Sequence, residues 1–126
     1  MALSHSTTVR NDMADAVDAR INTGAGTAVF ELLDGATVCA SFNLQDPAHG
    51  AAASGVITLQ GTPLTDASAD NTGTLDGFQI KDQDGNVHIS GSLTGSGGGG
   101  DLEADSVSVT AGQQVDLTSF TWTAPS

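Results

Sequence analysis

The chain has 126 residues, enough for one domain with its own core, and sets three basic residues against fifteen acidic ones for a formal charge of −12. That charge excludes nucleic acid as a partner, since phosphate binding needs a positive field, and it repels anionic lipid. The single cysteine, Cys39, excludes an intrachain disulfide, and no apolar run nears the roughly 20 residues of a membrane span.

The N-terminal MALSHSTTVRND lacks a basic stretch followed by an apolar one, so no secretory leader is expected and synthesis in the cytoplasm is. Residues 4–22 hold the one helical period. Val9, Met13, Val17 and Ile21 recur every four residues, while Asp12, Asp15, Asp18 and Arg20 are expected to form a polar face. Ser4 or Ser6 can cap the start and Gly24 can end the helix. Such a helix needs its own sheet or a neighbouring subunit to cover its apolar stripe, which makes Val9, Met13, Val17 and Ile21 the candidate interface.

From Thr27 the period becomes two. TAVFELL at 27–33 and ATVCASFNL at 36–44 flank Asp34-Gly35 and predict a hairpin. Its second strand alternates Val38, Ala40, Phe42 and Leu44 against Thr37, Cys39, Ser41 and Asn43. Cys39 reads as a small buried apolar residue rather than a reactive thiol. Asp46-Pro47 ends that strand, because proline has no ladder donor. AHGAAASG at 48–55 reads as a loose loop, GVITLQG at 55–61 as a strand, and 62–74 as a long connection.

The central hairpin is predicted at about 76–82 and 86–93, joined by Asp84-Gly85 in a two-residue turn with positive φ at both positions. Phe78 and Ile80 point one way on the first strand, and Val87 and Ile89 share a face on the second. GSGGGG at 95–100 reads as a mobile tip or tether, since no Gly-Lys-Ser/Thr follows to make a phosphate loop. SVSVT at 106–110 is a strand, and QVDLTSFTWT at 114–123 is the last. A bulge near Thr118-Ser119 would bring Val115, Leu117, Phe120 and Trp122 to one side. One helix and about seven or eight short strands predict an all-β fold, a jelly-roll-like antiparallel β-sandwich with a short N-terminal amphipathic helix. A single domain spans 1–126, with the helix at 4–22 and the sheets at 27–123.

Residues that carry chemistry are sparse. His5, His49 and His88 lack a second histidine at metal-ligand spacing, so no metal site and no cofactor is predicted. Asp82-Gln83-Asp84-Gly85-Asn86 has alternating carboxylates around a glycine, but the stretch after it lacks the acid a calcium loop needs, so it reads as a turn. Asp101, Glu103 and Asp105 read as a solvated loop, and Trp122 as core rather than a sugar platform. No nucleophile elbow or singled-out carboxylate pair appears, so no catalytic residue is nominated and an enzyme is not expected.

Several segments together carry a resemblance. They are the Leu-Ser start into a short helix, AASG at 52–55, DASADNTGT at 66–74, GFQIKDQDGNVHISGS at 77–92 and DSVSVTAGQQVDLTSFTWT at 105–123. In style and order the chain resembles small virion structural proteins of tailed bacteriophages and prophages, over nearly its whole length. The GSGGGG stretch at 95–100 departs from that pattern. The resemblance implies a capsid decoration (cement) protein, a homo-oligomer with a trimer favoured, bound to the major capsid protein on the capsid exterior. A tail, neck or fibre component is the alternative within that class. A small sugar- or calcium-binding β-module is the alternative outside it.

Overall fold

The computed structural model describes residues 3–125. The described residues are mostly β with one helix, α1 (Thr7–Ile21). Ser6 caps it, its Oγ accepting from the Val9 N–H at 3.2 Å, and Arg20 sits in the last turn where a positive charge suits the helix dipole.

Two hairpins lie side by side. β1 (Val29–Asp34) and β2 (Thr37–Asn43) form the first, and β6 (Gly77–Lys81) and β7 (Val87–Gly95) the second. β1 and β6 pair antiparallel and fuse them. Phe30 then lies opposite Phe42 on one side and Ile80 on the other, and Leu32 opposite Ala40 and Phe78. This apolar block is the centre of the core. Phe30 stacks on Phe78 with ring centroids 5.3 Å apart, and Phe120 closes edge-on over both at 5.2 and 5.6 Å.

Bulges break the alternation in both hairpins. In the first, Leu32 pairs with Ala40 but Leu33 with Val38, so Cys39 is the extra residue and is buried beside Ala40. In the second, Ile80 pairs with Ile89 but Lys81 with Val87, so His88 is extra and Val87 is turned outward to 46% exposure. The turn also differs from the expected two-residue form. Left-handed backbone falls on Gly85 alone (φ +90°), and the closing bonds are Gly85 N–H to Asp82 O and Asp82 N–H to Asn86 O. A longer turn followed by a left-handed glycine carries its own bulge, which explains the lost alternation.

The five-stranded sheet runs β2-β1-β6-β7-β8, with β8 at Leu102–Ala104. β8 lies parallel to β7, so the sheet is mixed where a purely antiparallel arrangement was predicted. Only residues 96–101 connect the two strands, far less than the usual parallel crossover. The chain doubles back within its glycines, and a Cβ at Gly98 would meet the Thr94 side chain at 2.7 Å. The loop is not a free tether. The Glu103 carboxylate accepts from the N–H groups of Gly97 and Gly99, both at 3.1 Å, and Thr94 Oγ1 accepts from Gly100 N–H at 3.0 Å.

Short two-stranded pairs complete the fold. The stretch 62–74 contains β4 (Leu64–Asp66) and β5 (Gly73–Thr74), which alternation over so few residues could not mark. β4 pairs with β10 (Val115–Leu117), β5 with β9 (Ser108–Val109), and β3 (Val56–Thr58) with β11 (Thr121–Thr123). The last predicted strand is therefore two strands. At Thr118-Ser119 the chain leaves one partner and joins another, and Val115, Leu117, Phe120 and Trp122 still all pack on the same core.

Candidate interaction surfaces

The helix holds the body of the protein by its polar side. Asn11, Asp15, Asp18 and Asn22 form one stripe, and each accepts from a backbone N–H of the 48–55 segment. Gly55 N–H reaches Asn11 Oδ1 at 2.8 Å, Ala52 reaches Asp15 Oδ1 at 3.1 Å, and His49 and Ala48 reach Asp18 Oδ1 and Asn22 Oδ1, both at 2.9 Å. The segment expected to be loose is thus strapped to α1, and Ala48 and His49 are buried. Asp18 has a second task. Its Oδ1 also accepts from His49 Nδ1 at 3.0 Å, and its Oδ2 from Asn22 Nδ2 at 3.1 Å. A carboxylate can only accept, so the proton sits on Nδ1. His49, placed by its sequence setting in a loose loop, is a strap residue at 1% exposure.

This docking divides the predicted interface. Each four-residue step along a helix turns about 40°, so Val9 to Ile21 sweeps about 120° around it. Ile21 is fully buried in the chain's own core and Val17 packs half-buried against it. Met13 is half-buried, and Val9 points outward at 44% exposure. Ile21 is therefore withdrawn from any intermolecular surface. Of the predicted stripe, Val9 faces solvent, and Leu3 ahead of the helix joins it at 82% exposure.

The Asp82 turn is built around a carboxylate whose oxygens are occupied by protein donors. Oδ1 accepts from the Asp84 and Asn86 N–H groups, both at 2.9 Å, and Oδ2 from His88 Nε2 at 2.8 Å and Asn86 Nδ2 at 3.3 Å. The Asn86 backbone bond first, then His88, hold its carboxyl well below the usual carboxylate range. Among the described residues no group of three His, Cys, Asp or Glu side chains comes together as a metal site. Asp101 is likewise engaged, accepting from Ser92 N–H at 3.0 Å, and Glu103 holds the glycine loop. Cys39 is buried, and burial followed by the charge of Asp34 pushes its thiol upward, away from the reactive thiolate.

Two groups give stability a pH dependence with a definite sign. Burial lowers the pKa of His49 against the opposing pull of Asp18, so the folded state resists a proton that the unfolded chain takes up below about pH 6.5. Asp82 is lowered too, so its contribution is present above about pH 4 and is lost as the pH falls further. Urea titrations should show the gap in unfolding free energy between wild type and His49→Asn narrowing from pH 7 to pH 5. The gap to Asp82→Asn should hold over that range and close only below about pH 4. A constant His49→Asn gap would contradict the first assignment.

A groove of about 620 Å³ lies between β8 and the 113–121 stretch, with Trp122 half-buried beside it. Among the described residues no helix is long and apolar enough to cross a membrane. Against protein-family models, curated proteins and solved structures, the chain finds no match.

Proposed function

We propose that the chain is a capsid decoration protein of a tailed bacteriophage, which binds the outer face of the major capsid protein as a homo-oligomer and stabilises the shell. The reading includes a jelly-roll-like sandwich as the unit of assembly and a trimer as the favoured oligomer. The observation that carries it is the pairing of a −12 charge with exposed apolar side chains, Leu3 and Val9, at the start of a helix already anchored by its other side. The anchored helix presents Val9 without having to order itself on binding, which lowers the entropic cost of an interface. The acidic surface favours the outside of a shell over its DNA-filled interior. Contact area is then the working principle. About 1,600 Å² per seam makes a specific interface, and several linked subunits add through effective concentration.

The experiment is to mix the purified chain with undecorated expanded shells, image the particles and follow rupture on heating. Density on the outer shell and a higher rupture temperature are expected. Val9→Asp, at an exposed position, should leave the thermal unfolding of the free chain unchanged and weaken shell binding by about tenfold. Absence of binding, or density only on the tail, would overturn the assignment.

A further inference from the structure

The groove between β8 and the 113–121 stretch has a floor that belongs to the main core. Leu32, Leu75, Leu93, Val109, Leu117 and Phe120 line it. Its rim is of one sign. Asp101, Glu103, Asp105 and Asp116 border it, while the chain's three basic residues, Arg10, Arg20 and Lys81, do not. All four rim carboxylates accept hydrogen bonds, Glu103 from the N–H groups of Gly97 and Gly99, Asp101 from the Ser92 N–H, Asp105 from Ser96 Oγ and Asp116 from Thr65 Oγ1. Both flanking strands have backbone to offer. Among the described residues β8 is an edge of the five-stranded sheet and pairs only with β7, and β10 pairs only with β4.

We propose that this groove binds an extended segment of a partner protein in which apolar and basic side chains alternate, added as a strand along β8. Strand addition takes its affinity from main-chain bonds and its selectivity from alternate side chains. One face of such a segment covers the leucine and phenylalanine floor, and the other sets Lys or Arg against the four carboxylates. Charge complementarity selects this occupant over a second copy of the chain, whose surface carries the same acidic excess. The fixed rim charges need little reordering on binding, so their field is available to the incoming segment. The inference goes beyond decoration of a shell and stands without it, because it concerns the chemistry of the groove alone.

The test uses the free protein labelled with ¹⁵N and three short blocked peptides, KVKVKVK, KVKPKVK and EVEVEVE. KVKVKVK should shift the amides of Leu102–Ala104 and Val115–Leu117 and bind about tenfold tighter than the proline-interrupted peptide, which cannot complete a ladder. EVEVEVE should not bind, and about 0.3 M salt should weaken KVKVKVK by about tenfold. Asp105→Lys combined with Asp116→Lys, both exposed, should weaken it to a similar degree while leaving the fold intact. Equal binding of the proline peptide, or shifts spread over the acidic surface such as Asp12 and Asp15, would overturn the proposal. So would groove shifts that depend on protein concentration alone, which would mean that a second copy is the occupant.

Discussion

Phe30→Ala is expected to lower the free energy of unfolding by about 3–5 kcal/mol, a large share of the roughly 5–15 kcal/mol that holds a domain together. Phe30 is fully buried and sits at the crossing of both hairpins. Its ring meets Phe42 at 6.4 Å, Phe78 at 5.3 Å and Phe120 at 5.2 Å. Truncation removes the transfer free energy of the ring and leaves a cavity walled by three other rings that strand pairing keeps from collapsing. Denaturant titration with circular dichroism measures this directly. Phe30→Leu, which refills part of the space, should recover a good part of the loss. A loss below about 1 kcal/mol for alanine would mean that the core is not centred on this residue.

Asp18→Ala should have the second largest effect, a loss of about 2–3 kcal/mol. One carboxylate takes the His49 N–H, the His49 ring proton and the Asn22 side-chain amide. Removing it leaves donors of a buried residue without an acceptor, which costs more than a hydrogen bond adds when made. Asp18→Asn keeps an acceptor oxygen at the same place and should cost about half as much or less. Hydrogen exchange separates this from a general loss of stability. In Asp18→Ala the amides of Ala48 and His49 should exchange faster by a factor beyond that seen at Phe30 and Leu32. Uniform acceleration everywhere would show that the strap is not a local unit.

The contrast between these two sites marks what the sequence made legible. Phe42, Phe78 and Ile80 were readable because a two-residue period leaves little choice of face, whereas TAVFELL marked a strand without showing that Phe30 would be its centre. The Asp34-Gly35 and Asp84-Gly85 reversals were readable for the same local reason, although the bulges at Cys39 and His88 were not. A bulge depends on which residue the partner strand places opposite, and that is settled only when the strands meet. β4, β5 and β8 are too short to show a period, whereas β9 lies inside the predicted SVSVT strand. The polar docking stripe was hidden because Asp and Asn on a helix look like a solvated face. One local sign did point to it. Asp18 lies near the helix C-terminus, where the dipole disfavours a negative charge, and its bonds to His49 supply the non-local compensation. In the 101–105 stretch the alternating acids were legible as exposed, but the tie between Glu103 and the glycines depends on a chain reversal that composition cannot show.

The strap between α1 and the 48–55 segment recognises main chain. Its four acceptors take amide protons, which every residue except proline offers, so apart from the His49 ring on Asp18 the grip is blind to the identity of what it holds. Ala51, Ala52 and Ala53 can be exchanged for other small or polar residues with little strain on the joint, whereas a proline at Ala52 would remove a strut. Through such a clasp an architecture can outlive the spelling of its parts, and lineages that keep the same joint can drift beyond recognition by letter.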